Sequence, residues 1–120
     1  MTKDRLRRYR DLSRERHQLE NQLKGIAVTM AALRPHAPMQ RLDSMSQRVS
    51  AVLQTKLDKL MEEQIEIEIA LDALEPKARL VMRAYYIDGR KWDDVCLAVG
   101  YERSMVFRIH AAALKKLEDI

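Results

Sequence analysis

Backbone breakers are scarce in this 120-residue chain, which holds three glycines and three prolines. With so few interruptions the chain is suited to long helices, and the expected fold class is all-α. A single cysteine, Cys96, excludes an internal disulfide, and nothing points to an oxidising compartment. Aromatic residues are few: Trp92, Phe107 and the tyrosines Tyr9, Tyr85, Tyr86 and Tyr101. No apolar run approaches the roughly 20 residues needed to span a bilayer. The start, Met1 to Arg8, lacks the apolar stretch of a signal peptide. The expectation is a soluble cytoplasmic protein without membrane contact.

Catalytic and cofactor signatures are missing as well. There is no glycine-rich phosphate loop and no Ser/His/Asp spacing that suggests a triad. His17, His36 and His110 lie far apart, and with one cysteine they give no zinc spacing. Asp93-Asp94 and Glu62-Glu63 are carboxylate pairs on expected helix surfaces, without a convergent base or nucleophile. The reading is therefore a non-enzyme with no cofactor and no metal site, in which Cys96 is a small core residue.

What is present is a balance of 47% hydrophobic and 33% charged residues, with a net charge of +4 that is unevenly spread. Residues 1–34 carry nine Lys/Arg against four Asp/Glu, residues 35–75 four against eight, and residues 76–120 nine against six. The ends attract polyanions and the middle repels them. In the first segment Tyr9, Leu12, Leu19, Leu23, Ile26, Met30 and Leu33 alternate steps of three and four, with Arg16 filling the missing step. This heptad seam predicts one long helix over about Asp4–Leu33, with a narrow buried stripe. Arg34-Pro35-His36-Ala37-Pro38 stops it. A second helix is expected from Asp43 or Ser44 to Leu74, with Met45, Val49, Val52, Leu53, Leu57, Leu60, Ile67, Leu71 and Leu74 on its apolar positions. Ile65-Glu66-Ile67-Glu68-Ile69 alternates like a strand but sits inside this helical pattern. Residues 1–74 are thus read as a long antiparallel coiled-coil hairpin, its basic helix against its acidic one, serving oligomerisation or partner binding. The arginines Arg5, Arg7, Arg8, Arg10, Arg14 and Arg16 have two readings: a solvated face paired with the acidic helix, or an accessory arm on phosphate.

Residues 75–120 predict three short helices, Pro76–Ile87, Trp92–Val99 and Arg103–Leu117, separated by Asp88-Gly89 and by Gly100. Trp92 to Ile109 meets the demands of a helix-turn-helix. Cys96 is the small residue where the helices cross, and Gly100 allows the positive φ of the turn. Val95 and Val99 face Val106 and Ile109, with Leu80, Val81, Ala84 and Tyr85 behind them and Ala113, Leu114 and Leu117 closing the core. Outward on the last helix stand Arg103, Ser104, Phe107, Arg108 and Ala111. Arg103 and Arg108 are the expected main contacts to duplex DNA in the major groove, helped by Ser104, with Met105 and Phe107 alongside. Arg90, Lys91 and Lys115 are expected on phosphates. His110 is placed at the helix flank, toward backbone phosphate or solvent.

Leu74 to Gly89, followed by Trp92-Asp93-Asp94-Val95 and then by Gly100-Tyr101-Glu102-Arg103-Ser104, resembles region 4 of the sigma-70 family. Tyr85-Tyr86-Ile87-Asp88-Gly89 and Arg108-Ile109-His110 with Ala113-Leu114 resemble small phage and prophage regulators of the ArpU/RinA-like kind. The resemblance covers about 45 residues and departs at Glu102, where the sigma pattern has a Ser or Thr cap. Nothing here resembles the sigma region that melts the promoter. The resemblance implies a sequence-specific transcriptional regulator, phage or prophage encoded. It would act as a homodimer or higher oligomer through the hairpin. The alternative it implies is a non-enzymatic adaptor that docks on RNA polymerase, for which the acidic stretch Glu62–Glu75 offers a surface.

Overall fold

The computed structural model describes residues 1–36 and 39–119, and these are mainly helical with no strand among them. The helices are α1 (Lys3–Leu33), α2 (Gln40–Asp72), α3 (Pro76–Met82), α4 (Trp92–Val99) and α5 (Arg103–Glu118), with a π-helical turn at Arg83–Ile87. None among the described residues is long and apolar enough to cross a membrane. Ala37 and Pro38, half of the expected stop signal, lie outside the described residues. At the start of α1 the Thr2 hydroxyl accepts the Arg5 N–H at 3.3 Å, satisfying one of the donors that a helix start leaves free. Helix α2 begins at Gln40, three residues before the expected cap at Asp43, which lies in its first turn instead. The alternating stretch is helical, and it buries Ile67 while exposing Ile65 and Ile69.

Two compact units divide the chain: residues 1–11 with 63–120, and residues 12–62. The first unit takes in the outer ends of both long helices, which the sequence assigned to the hairpin. Its core holds Leu6, Ile67, Leu71, Leu74, Val81, Met82, Val95, Val106 and Leu117. Each such side chain contributes about 1.5–3 kcal/mol by leaving water. Across α1 and α2, Arg5 pairs with Glu66 and Arg8 with Glu63 at 3.4 Å, an order that runs antiparallel. Buried Gln64 donates to the Tyr9 carbonyl at 3.4 Å.

In the second unit Leu12 and Leu57 are buried, while Leu19, Leu23, Leu53 and Leu60 are half-buried. Ile26, Met30 and Leu33 of α1 meet Leu42, Met45 and Val49 of α2 around an apolar cleft of about 360 Å³. Arg34 reaches Asp43 at 3.6 Å. Met45, Val49 and Val52, expected on the apolar seam, are half or more exposed. One helix offers another only a narrow stripe, so apolar residues beyond that stripe stay wet.

Candidate functional site

Helices α4 and α5 are joined by a turn at Gly100–Glu102. Gly100 adopts φ 76°, ψ 25°, and its N–H caps α4 by bonding to the Cys96 carbonyl at 2.9 Å. This left-handed conformation costs any residue with a Cβ, which is why glycine stands there. Glu102 precedes α5 with extended backbone and makes no side-chain cap, in keeping with its departure from the Ser/Thr pattern. Val81, Ala84, Val95 and Val106 form the buried centre, and Cys96, Val99, Tyr101 and Ile109 pack on it half-buried.

Two expectations for this core need correction. Leu80, expected in the supporting core, is 59% exposed. The expected helix Pro76–Ile87 also changes its winding at Arg83, where the Asp88 N–H bonds to the Arg83 carbonyl five residues back at 2.9 Å. A π turn inserts one residue into the helical period. Tyr86, five residues beyond Val81, therefore points inward as Val81 does, and it is 3% exposed.

Tyr86 Oη lies 2.7 Å from His110 Nε2, and the two share a hydrogen bond whose direction follows the imidazole tautomer. His110 is thus half-buried and partnered, rather than turned to solvent as the sequence suggested. Burial, then the Lys3 and Arg7 charges, hold its pKa below the ordinary value and favour neutral imidazole. Burial first, then Tyr85, pushes the Tyr86 phenol up to about 12, so it stays protonated. Trp92 stacks on Tyr85 with centroids 3.9 Å apart, and it meets the Phe107 and His110 rings at 5.2 and 4.8 Å. The indole is the packing anchor between the π turn, α4 and α5.

All eight side chains singled out for DNA contact, Arg90, Lys91, Arg103, Ser104, Met105, Phe107, Arg108 and Lys115, are exposed. They do not form one group. With Val106, Ala113 and Leu117 buried, the helical period of α5 turns Ser104, Arg108, Ala111 and Lys115 away from the core along one ridge. Arg103 and Phe107 lie on the flank toward α4. The Arg103 guanidinium is 3.3 Å from Asp93 and 5.5 Å from the Phe107 ring. Arg90 and Lys91 line a cleft of about 480 Å³ with Tyr85, Tyr86, Gly89 and Trp92, together with Arg7 and Arg10 of α1.

The placement of Arg7 and Arg10 was not legible in the sequence. Arg5 and Arg8 pair with α2 carboxylates, as expected of a solvated face lying on the acidic helix. Arg7 and Arg10, three residues apart and so on one helix face, turn to the cleft instead. The only available signal was that spacing. Among the described residues no cluster of three or more His, Cys, Asp or Glu side chains is able to hold a metal ion. No family model, no curated protein and no solved structure matches this chain.

Proposed function

We propose that the chain is a sequence-specific DNA-binding transcriptional regulator, non-enzymatic, whose α5 enters the major groove. One observation carries this reading: the exposed α5 ridge Ser104–Arg108–Lys115, on which Arg108 and Lys115 have no ion-pair partner among the described residues. Small and basic side chains on the outer face of the second helix of a tight helix–turn–helix suit base reading and phosphate contact. Ser104 and Arg108 are the base-reading candidates and Lys115 a phosphate contact. The exposed Arg103–Asp93 pair is of the kind that contributes little, so phosphate readily displaces the carboxylate. The sequence resemblance to sigma-70 region 4 and to small phage regulators points the same way.

In this reading α1 and α2 form the coiled-coil hairpin, and self-association uses apolar side chains left open on it, among them Val28, Val49 and Val52. A dimer would then present two α5 helices to half-sites about one DNA turn apart. The adaptor alternative needs free acidic surface on α2. Of the six acidic residues in Glu62–Glu75, Glu63, Glu66 and Glu68 are paired to Arg8, Arg5 and Arg83, while Glu62, Asp72 and Glu75 are exposed, so that surface is reduced but present.

Selection of bound sites from a random duplex library, with wild type and Arg108→Ala, tests it. The expected result is a defined motif that relaxes in the variant, with a loss of about 1–3 kcal/mol at the position Arg108 reads. Absence of any enriched motif, or the same motif at equal strength in the variant, overturns the assignment.

A further inference from the structure

Four cations meet in the cleft of the first unit: Arg7 and Arg10 from α1, and Arg90 and Lys91 from the segment leading into α4. No carboxylate lines it. All four side chains are exposed, and none has an ion-pair partner among the described residues. That sets them apart from Arg5 and Arg8 on the same helix, whose charges are neutralised by Glu66 and Glu63. Like charges gathered in a concave surface repel one another and focus the field on whatever anion enters.

The site is also shaped. Gly89 holds φ 69°, and the Arg10 guanidinium packs over its backbone in the space a Cβ would need. The missing side chain thus gives Arg10 its seat. Tyr85 and Trp92, stacked on each other, form a rigid aromatic wall beneath the cations. Guanidinium groups match the oxygens of a phosphate with paired hydrogen bonds. The cleft adjoins the proposed reading helix, because Trp92 touches Phe107 of α5 directly.

We propose that this cleft binds a phosphate of the DNA backbone, so that the start of α1 grips the strand flanking the groove entered by α5. This rests on the DNA-binding reading for the source of the phosphate; a free nucleotide is the other source of the same chemistry. The cleft contacts fix position without reading bases. Sequence preference therefore belongs to Ser104 and Arg108, while Arg7, Arg10, Arg90 and Lys91 add to the salt dependence that Lys115 contributes.

The test uses the full chain as wild type, Arg7→Gln/Arg10→Gln and Arg90→Gln/Lys91→Gln, each checked by thermal melting. Binding to the selected duplex and to unrelated duplexes is measured across a salt series. Trp92 fluorescence is followed with duplex, with inorganic phosphate and with a nucleoside triphosphate at constant ionic strength. Each double variant is expected to bind all duplexes about tenfold more weakly, with the salt slope reduced by roughly 1–2 and the selected motif unchanged. A Trp92 response to nucleotide or phosphate, lost in the variants while duplex gives none, keeps the phosphate site and assigns it to a free ligand. If wild type binds duplex and both variants keep its affinity and slope, with no response to nucleotide, the cleft proposal fails and the α5 reading stands. If wild type answers neither duplex nor nucleotide, both fail.

Discussion

His110 illustrates how one side chain links packing to pH. Its imidazole sits among Tyr86, Trp92 and Tyr85, with the Lys3 and Arg7 charges acting on it, and burial is the largest cause of its lowered pKa. The unfolded chain takes up this proton near the ordinary value of 6.5, and the folded chain only at lower pH. Below that value the unfolded state binds more protons, so stability is present above pH 6.5 and is lost as pH falls toward the folded pKa. Thermal melts should show the melting temperature declining from pH 7 into the acid range. His110→Gln, which keeps a polar partner for Tyr86, should flatten that decline. A wild-type melting temperature constant down to pH 5 would mean that the imidazole is not held neutral. Glu68 acts in a separate window. Burial pushes its carboxyl up, but hydrogen bonds from Arg83 and Tyr9 and the Arg83 charge outweigh that and leave it below 4.5. Its contribution is lost only under more acid conditions.

At the scale of elements, glycines have opposite effects according to their backbone. Gly100 has φ 76° with open space around it, so a substituted Cβ meets no neighbour and the cost is conformational. Gly100→Ala should lose about 1 kcal/mol, and Gly100→Asn less, since Asn tolerates the left-handed region. Gly25 lies within α1, is exposed and has nothing within 4 Å of the added carbon. Gly25→Ala should gain about 0.5–1 kcal/mol. Chemical denaturation of the two variants checks both signs together. Helix ends marked by such residues were legible: α4 spans Trp92–Val99 and stops at Gly100 as the sequence predicts. The π turn was not, because Tyr85-Tyr86 offers an apolar ring in either of two adjacent phases and only packing decides between them. Leu80 faces outward because Ala78, Val81 and Met82 take the buried positions of α3, and an apolar run alone does not decide which of three adjacent residues meets the core. At the candidate site the exposed ridge of α5 followed from helical phase alone. The cation cleft did not, because it depends on α1 meeting Gly89 more than 75 residues along the chain, a distance no local pattern encodes.

For the molecule as a whole, the question is where the C-terminal helices end as a folding unit. A boundary at residue 74 would leave Pro76–Glu118 to fold alone, yet the compact unit that holds them also includes residues 1–11 and 63–75. Leu6 is fully buried there, Tyr9 donates to Glu68 at 2.7 Å, and Glu68 in turn holds Arg83 of the π turn. Removing residues 1–11 strips out one buried leucine and the hydrogen bond of Tyr9 to Glu68, together about 3–6 kcal/mol, and takes the Tyr9 carbonyl away from buried Gln64. The exposed pairs Arg5–Glu66 and Arg8–Glu63 add little. That loss is a large share of the roughly 5–15 kcal/mol that holds a typical domain together. Residues 12–120 should therefore melt well below the full chain, and residues 75–120, which also lack Ile67 and Leu71, should show no cooperative transition. Thermal melts followed by near-ultraviolet circular dichroism report on the environment of Trp92 in each fragment. If residues 75–120 melt cooperatively near the temperature of the full chain, the three short helices are self-sufficient, and α1 reaches them only as an added arm. If they do not, and residues 12–120 also melt well below the full chain, the start of α1 is part of the core that shapes α5, and losing it should abolish the proposed DNA binding along with the fold.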